Sequence, residues 1–433
     1  MTLKEYTMLA ILRQRNFALL WLGGLISFVG DWVLFIALPV YVYDLTGSAL
    51  ATGGMFIAQT APRLLFGSIA GVFVDRWDRR RTMIVANLLN AAILFLLLLV
   101  HSAADLWLIY ATAFFQASIT LFFQPAESAL VPALVGEEHL IHANALVALN
   151  WELTRLIAPP LGGLVMALFG LGSVIAIDSF SFLFSAAMIA LITLPAAERV
   201  RPNAEEHSQM LGAWRAVGRE LIEGLQLVRR DRLVRALFVI TGVAMVAEGI
   251  INVLGFPWLK QVLHGDALTR GWMASAQAVG GLLGGLLIGR ISKQMQPTYL
   301  IGLSGILLGL VSLALINITA LPITPSLWLP TALMLKLLQG VPIIGLFVSV
   351  DTLLQQSVAD QYRGRIFGAY GAISALSMLG GQAAASLLGD RAGLVAVLNW
   401  MGIAYLLAGV CAFGLLRGPG ARWHVQAAEP LSR

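Results

Sequence analysis

The chain has 433 residues, of which 58% are hydrophobic and 12% charged, with a formal net charge of +5. Soluble domains carry about 25% charged residues, so this composition excludes an ordinary soluble enzyme, a disordered chain and a fibrous protein. The arginines form short clusters between apolar runs, which argues against nucleic acid as a partner. A single cysteine, Cys411, excludes an intrachain disulfide and a multi-cysteine metal site. The composition therefore predicts a membrane protein with no metal and no cofactor.

Twelve apolar stretches are each long enough to cross a bilayer core of roughly 30 Å as a helix. Basic residues precede the first stretch, which is too long for a signal peptide and is predicted to be a retained anchor. The stretches cover residues 17–43, 49–74, 82–100, 106–127, 144–169, 172–194, 233–257, 271–292, 298–318, 326–351, 365–389 and 392–416.

A long polar segment divides these stretches into two sets of six. We predict an all-α, polytopic fold with twelve transmembrane helices in two pseudo-symmetric bundles. The predicted parts are a first bundle at 1–194, a linker at 195–232, a second bundle at 233–416 and a tail at 417–433. In the linker, apolar residues recur at three- and four-residue spacing from Leu211 to Val228. This pattern predicts an amphipathic helix, which either lies on the membrane surface or packs between the bundles.

The lysines and arginines predict the orientation of the spans. Most of the 28 basic residues lie in segments before, after or between the spans, on the same side of the membrane as the N-terminus. Only Lys260, Arg270 and Arg391 are assigned to the opposite side. Short cytoplasmic loops retain positive residues. We therefore expect a multi-pass protein of the plasma (inner) membrane with both termini in the cytoplasm.

An internal repeat links the two halves. Gly67, Gly71 and Asp75 close the second span, and Gly281, Gly285 and Gly289 follow the same spacing in the eighth. A second echo places Glu127 at the end of the fourth span and Asp351 at the end of the tenth. Glycines four residues apart allow close helix packing, and matching halves are typical of transporters built from parallel repeats.

The segment from Gly71 to Arg80, G-V-F-V-D-R-W-D-R-R, resembles the loop 2–3 signature of the major facilitator superfamily. Four shorter stretches resemble its macrolide-efflux and siderophore-exporter branch: Gly30-Asp31-Trp32, Gln124-Pro125-Ala126, Ile177-Asp178-Ser179-Phe180 and Arg363-Gly364-Arg365. The resemblance implies a secondary transporter that works by alternating access, and we expect a monomer.

Two features depart from the drug/proton antiporters of that superfamily. The fourth span has no arginine, and the fifth reads Ala158-Pro159-Pro160-Leu161-Gly162-Gly163 where those antiporters have Gly-Pro-x-x-Gly-Gly. The proton-coupling arrangement of that group is therefore not transferred to this chain, and coupling stays open at this point.

Charged side chains within spans are costly and usually face a cavity or a partner. Asp31, Arg63 and Glu248 lie near the middle of their spans and are the proton-coupling candidates. Asp31 and Arg63 are expected to pair, either as a switch or as a fixed bridge between two helices. The resemblance implies a cavity lined by spans one, four, seven and ten, and we place Trp32, Phe35, Phe115 and Lys336 there.

A second group of residues is predicted to form a cytoplasmic gate. The group comprises Gly71, Asp75, Arg76, Arg79, Arg80, Glu127, Arg155 and Asp351. Glu127 is expected within reach of the arginines at 79 to 81, and Glu152 is expected to pair with Arg155. The resemblance implies a latch at Asp75; the alternative is a loop that only sets topology.

An apolar, aromatic cavity favours lipophilic or amphipathic small molecules as the substrate, with protons as the coupling ion. Export of such molecules is the leading hypothesis, and lipid or lysolipid translocation and siderophore export are the alternatives. A non-transporting scaffold is disfavoured by the intramembrane charges. Gly302-Leu303-Ser304-Gly305 has the form of a serine nucleophile motif, but all six histidines lie in or beside loops, so no enzyme is predicted.

Overall fold

The computed structural model describes residues 8–74, 77–193, 222–292 and 294–416, and these residues contain helices and no strand. The helix Leu140–Ala190 is interrupted at Gly170, whose φ of 73° and ψ of −176° are not helical. We number its two limbs separately, as α5 (140–169) and α6 (171–190). The remaining helices are α1 (Arg15–Thr46), α2 (Ala49–Val74), α3 (Arg79–Leu94), α4 (Leu106–Val135), α7 (Arg232–Val262), α8 (Ala267–Ile291), α9 (Pro297–Ile316), α10 (Trp328–Ser357), α11 (Asp360–Ala392) and α12 (Leu394–Leu415).

Ten helices in the described ranges are long and apolar enough to cross a membrane, with α5 and α6 counted as one. This confirms the all-α polytopic class. The break at Gly170 separates the predicted fifth and sixth spans because a glycine adopts a positive φ without steric cost. The count of twelve spans stays a prediction.

The chain divides into two compact units. The first comprises Met1–Ala213 and Gly265–Ser275. Within it, α1 packs along α5 and α6, whereas α2 packs along α4. An apolar core at one end of the unit gathers Phe17 and Leu20 of α1 with Leu130 of α4 and Ile189 of α6. These helix contacts determine which polar side chains are neighbours inside the first unit.

The second unit comprises Trp214–His264 and Ala276–Arg433. Here α7 packs along α11 and α12, and α9 packs along α10 and α12. Trp258 of α7 is buried, and its indole nitrogen donates to the carbonyl of Ile316 at 3.2 Å. In each unit, one long helix, α1 or α7, thus packs along the last two helices of its bundle.

Close helix contacts depend on glycines, but not on all those that the repeat predicts. A Cβ at Gly162 would lie 2.8 Å from Val33 Cα, so α1 and α5 meet there backbone to backbone. In the second unit, Gly280 and Gly284 of α8 lie against α10 in the same way. The predicted Gly285 and Gly289 have no neighbour within 4 Å of an added Cβ. The expectation of close packing there was wrong, because the contact face is displaced by one residue along α8.

The described part of the linker is a helix at residues 222–230. It packs on the start of α11, where Arg365 forms an ion pair with Glu223 at 3.3 Å. An added Cβ at Gly224 would lie 2.5 Å from the carbonyl oxygen of Arg365. The linker residues from 195 to 221, including Leu211, lie outside the described residues. The described turns of the linker therefore pack on the second unit.

A pair of acids in the first unit and its counterpart in the second

Asp31 occupies the centre of the first unit. It is the seventeenth of the 32 residues of α1, and it is partly buried. The amide Nε2 of Gln116, on α4, donates to its Oδ1 at 3.5 Å. A polar side chain from a neighbouring helix therefore meets this carboxyl group inside the first unit.

A second acid, Asp178 on α6, faces the same place. Its side chain is completely buried, and it interacts electrostatically with Asp31 and by hydrogen bonding with Gln116. The hydroxyl of Ser181 lies 3.4 Å from its Oδ1, whereas its Oδ2 has no hydrogen-bond partner. Gly30 makes this approach possible, because a Cβ there would overlap Ser181 Oγ and lie 2.5 Å from Asp178 Oδ1. We call Asp31, Asp178 and Gln116 the acid pair site.

Sequence reasoning did not assign a role to Asp178. It appeared only within a stretch used for the family resemblance. The available signal was an acidic residue in the middle of an apolar span, which is costly and usually functional. Sequence spacing alone does not show that α1 and α6 are neighbours.

The predicted pair of Asp31 and Arg63 is not formed. No ion pair joins them in the described residues, and the Arg63 side chain is exposed. The reason is helix packing: α1 packs chiefly on α5 and α6, while α2 packs chiefly on α4. Similar depth in consecutive spans was therefore not evidence of contact.

The second unit places an acid at the equivalent point. Glu248 is the seventeenth of the 31 residues of α7. Its Oε1 accepts a hydrogen bond of 2.6 Å from the hydroxyl of Tyr405 on α12, and Tyr405 is buried. The acid of each first helix thus meets the last helix of its unit, but the partner is an acid in one unit and a phenol in the other.

Three of the predicted cavity residues lie in the first unit, on α1 and α4, and the fourth lies in the second unit, on α10. Trp32 and Phe35 stack edge to face at 5.2 Å between ring centroids, and Phe35 meets Phe56 of α2 at 6.2 Å. Phe115 is 51% exposed. Lys336, on α10, donates from Nζ to Gln277 of α8 at 3.2 Å.

The gate residues do not assemble as predicted. Glu127 is buried, and a Cβ added at Gly24 of α1 would lie 3.6 Å from its Oε1. Arg80 instead donates to the carbonyls of Ile189, at 3.1 Å, and Ala190. The last carbonyls of a helix lack intrahelical partners and attract cations, so Arg80 caps α6. No ion pair between Glu127 and the arginines of α3 occurs in the described parts of the chain.

Arg155, another predicted gate residue, lies in the middle of α5. It lies halfway between Leu140 and the break at Gly170, about 22 Å along the helix from either point at 1.5 Å per residue. A position so far from both helix ends does not suit a gate at one surface. In the ranges that the structure describes, no ion pair joins it to Glu152.

The remaining predicted gate residues differ in their surroundings and in whether the structure describes them. Asp75 and Arg76 lie outside the described residues, as do the surroundings of Gly71. The Nε of Arg79 is buried without a hydrogen-bond partner. Asp351 accepts a hydrogen bond of 2.7 Å from Tyr370, so it is joined to α11 within the second unit.

This architecture defines a polytopic helical membrane protein with acids buried in its bundles. The sequence model of the Major Facilitator Superfamily matches residues 20–382 and 237–430. The chain therefore belongs to the Major Facilitator Superfamily of membrane transporters.

Relatives agree with the exporter branch. The chain is 27% identical over 387 residues to macrolide efflux protein A of Streptococcus pyogenes, a match that covers 88% of this chain and 90% of that protein. It is 25% identical over 401 residues to the enterobactin exporter EntS of Escherichia coli O1:K1 / APEC, covering 91% and 90%. The structure of a bacterial homologue of the iron transporter ferroportin, in an inward-facing state, superposes with a TM-score of 0.76 at 15% identity and covers 93% of this chain and 98% of that one. That likeness supports the fold.

Proposed function

We propose that the protein exports lipophilic or amphipathic small molecules by alternating access, coupled to proton entry. The observation that carries the proposal is Asp31, a carboxyl group midway along α1 that meets only polar neutral and acidic partners among the described residues. An acid in that environment is costly when charged and is a group that a proton can neutralise. The similarity to proteins named as macrolide and enterobactin exporters supports the direction of transport.

The chemistry of the bundle supports the substrate class. Trp32, Phe35 and Phe56 form an aromatic cluster across α1 and α2, and Phe115 adds an exposed ring on α4. Sugar cavities need many amide and hydroxyl groups, and the spans are poor in Asn and Gln. Aromatic faces bind lipophilic molecules and organic cations. Siderophore export and lipid or lysolipid translocation are the alternatives within the same fold.

The test is flux in proteoliposomes that contain the purified protein. The panel comprises a macrolide, a lipophilic cation, a catecholate siderophore and a fluorescent lysolipid, each measured with a proton gradient and after its collapse. We expect gradient-dependent accumulation of the macrolide or the cation. Transport of the siderophore or the lysolipid alone would replace the proposed substrate class, and equal transport without the gradient would contradict proton coupling.

We further propose the placement of the chain: the plasma (inner) membrane, with both termini in the cytoplasm, as a monomer. In this arrangement, two six-helix bundles, 1–194 and 233–416, flank the linker at 195–232, with a cytoplasmic tail at 417–433. The distribution of lysines and arginines supports it. Cysteine labelling of introduced sites at Gln226 and Gln261, from outside intact cells, tests it: only the second should react.

Asp75 is proposed as the latch of the cytoplasmic gate, because the matching residue of the second half is Gly289. An aspartate there accepts charge-assisted hydrogen bonds, which are the strong ones, and its loss should shift the conformational balance toward inward-open roughly tenfold. The measurement is the spin-label distance between sites near Asp75 and near Arg363, in wild type and Asp75→Asn. Unchanged distances together with unchanged transport would show that the loop only sets topology.

A further inference from the structure

We infer that Asp178 is the second member of the coupling site, and that Asp31 and Asp178 hold one proton between them. This inference rests on the proposed proton coupling and names the residue that completes it. Asp178 is completely buried, and its Oδ2 has no hydrogen-bond partner. A buried carboxylate oxygen without a donor is unfavourable, whereas a carboxyl oxygen that carries the proton is not an unpaired charge.

The two acids differ in their exposed surface. Asp31 is partly exposed and receives the amide of Gln116, whereas Asp178 has no exposed surface. Gln116 hydrogen-bonds with both acids, so burial is what distinguishes them: it opposes ionisation more strongly at the acid that has no exposed surface. The geometry therefore places the proton on Asp178 and the charge on Asp31 in this conformation. A proton from water reaches Asp178 through Asp31: the O–H bond on Asp31 breaks as the one on Asp178 forms, and no other bond changes.

Charged groups on the neighbouring helices do not supply a cation to this site. The elements packed on α1 and α6 carry Arg63 on α2, Glu127 on α4, Glu152 and Arg155 on α5, and the arginines at the start of α3. Within the described residues, none of these arginines forms an ion pair with Asp31 or Asp178. Two close carboxyl groups without a cation do not both ionise, so one shared proton balances the site.

The packing around the pair is built for this contact. Only a glycine at position 30 leaves room for the Asp178 carboxyl against α1, because a Cβ there would overlap Ser181 Oγ. In the second unit the equivalent acid, Glu248, accepts a hydrogen bond from the hydroxyl of Tyr405, which is a neutral donor. The first unit has an acid in place of the phenol, and this difference makes it the unit that binds a proton.

The first test is infrared spectroscopy of the purified protein, which needs neither substrate nor gradient. A protonated carboxyl group has a C=O stretch that a carboxylate lacks. We expect the protonated-carboxyl absorption of wild type at neutral pH to lose one component in Asp178→Asn, while the absorption of other buried acids such as Glu127 stays. Glu248→Gln, which removes an acid at the same depth of the second unit, is the matched control and should keep that component. Absorption of unchanged intensity in Asp178→Asn would overturn the inference.

The second test is the pH profile of transport. In Asp178→Asn the neighbouring acid no longer opposes ionisation of Asp31, so the profile should move to lower pH by about one unit or more. A merely structural role would change the rate at every pH and leave the profile in place. If Asp178→Asn does not fold, Asp178→Ser carries the same two readouts. The two proposals can fail separately. If Asp178→Asn loses the carboxyl component while wild type shows no proton-driven flux, the acid pair is supported and the proposed function is rejected.

Discussion

Each unit holds a partly buried acid at the seventeenth residue of a long helix, α1 or α7, and the two acids have different partners. Asp31 interacts electrostatically with the completely buried carboxyl group of Asp178, whereas Glu248 accepts a hydrogen bond of 2.6 Å from Tyr405. A phenol donates to a carboxylate and stabilises its charge. A second acid destabilises the charge of a neighbouring carboxylate, so one of the two acids must carry a proton. Under the proposed coupling, one architectural position serves a fixed contact in one unit and a titrating one in the other.

The largest expected effect distinguishes Asp31 from Glu248. Asp31→Asn removes the group that exchanges its proton with water, so gradient-driven export should fall to the rate of protein-free vesicles while substrate binding stays measurable. Glu248→Gln keeps a neutral partner for Tyr405 and should retain uphill export. The measurements are flux in proteoliposomes and equilibrium binding in detergent. Equal losses in both variants would remove the functional distinction between the units.

A smaller effect is expected from the packing that brings the acids together. Gly30→Ala places a methyl group onto Ser181 Oγ, and we expect it to lower the free energy of unfolding by about 1–3 kcal/mol. Gly24→Ala is the control in the same helix, because its added Cβ would lie 3.6 Å from its nearest neighbours, an ordinary contact. Thermal unfolding in detergent measures both. If Gly30→Ala is as stable as Gly24→Ala, α1 and α6 are not tightly packed at the acid pair.

The fixed contact of the second unit is tested by Tyr405→Phe. This change leaves the ring in place and removes the donor to Glu248, so stability should fall by about 1–2 kcal/mol. Adding Glu248→Gln should cost less in the Tyr405→Phe background than in wild type, since the two side chains share one interaction. Additive losses in that double-mutant cycle would mean that the hydrogen bond contributes nothing. Proton dependence of export should not change in the single variant.

The smallest effect concerns two matching helix starts in the first unit. Ser48 accepts from the backbone of Leu50 at the start of α2, and Asp266 accepts from Thr269 at the start of α8. Partial burial opposes ionisation of Asp266, but hydrogen bonds from the Thr269 N–H and hydroxyl outweigh it and hold the pKa below its usual value. Asp266→Ala should therefore cost about 1 kcal/mol at neutral pH.

That cost should depend on pH in a defined direction. Because the pKa of Asp266 is lower in the folded state than in the unfolded state, its contribution is complete above the unfolded value and is lost as the pH falls through the folded one. Ser48→Ala removes a cap that does not titrate, so its cost should be the same in acid. Unfolding midpoints of both variants across the acid range measure this. A constant penalty for Asp266→Ala would contradict the role of its ionised form.

Much of the fold followed from the sequence, for a physical reason. A bilayer satisfies no backbone hydrogen bonds, so apolar stretches of sufficient length must be helices, and glycine at position 170 marks the break between two of them. The family signature between Gly71 and Arg80 likewise depends on residues adjacent along the chain. Local sequence also placed Asp31 and Glu248 at the middle of their helices, since depth follows from counting residues along a span.

Which charged residues meet was decided by the tertiary structure alone. The sequence put Arg63 at the depth of Asp31, but helix packing gave Asp31 the carboxyl group of Asp178, which lies 147 positions further along the chain. It likewise gave Arg80 the last carbonyls of α6 in place of Glu127. Depth is a property of one helix, whereas contact depends on which helices are neighbours and on how each is rotated about its axis. Those two quantities arise from side-chain packing across the whole unit, as at Gly30, and no local pattern encodes them.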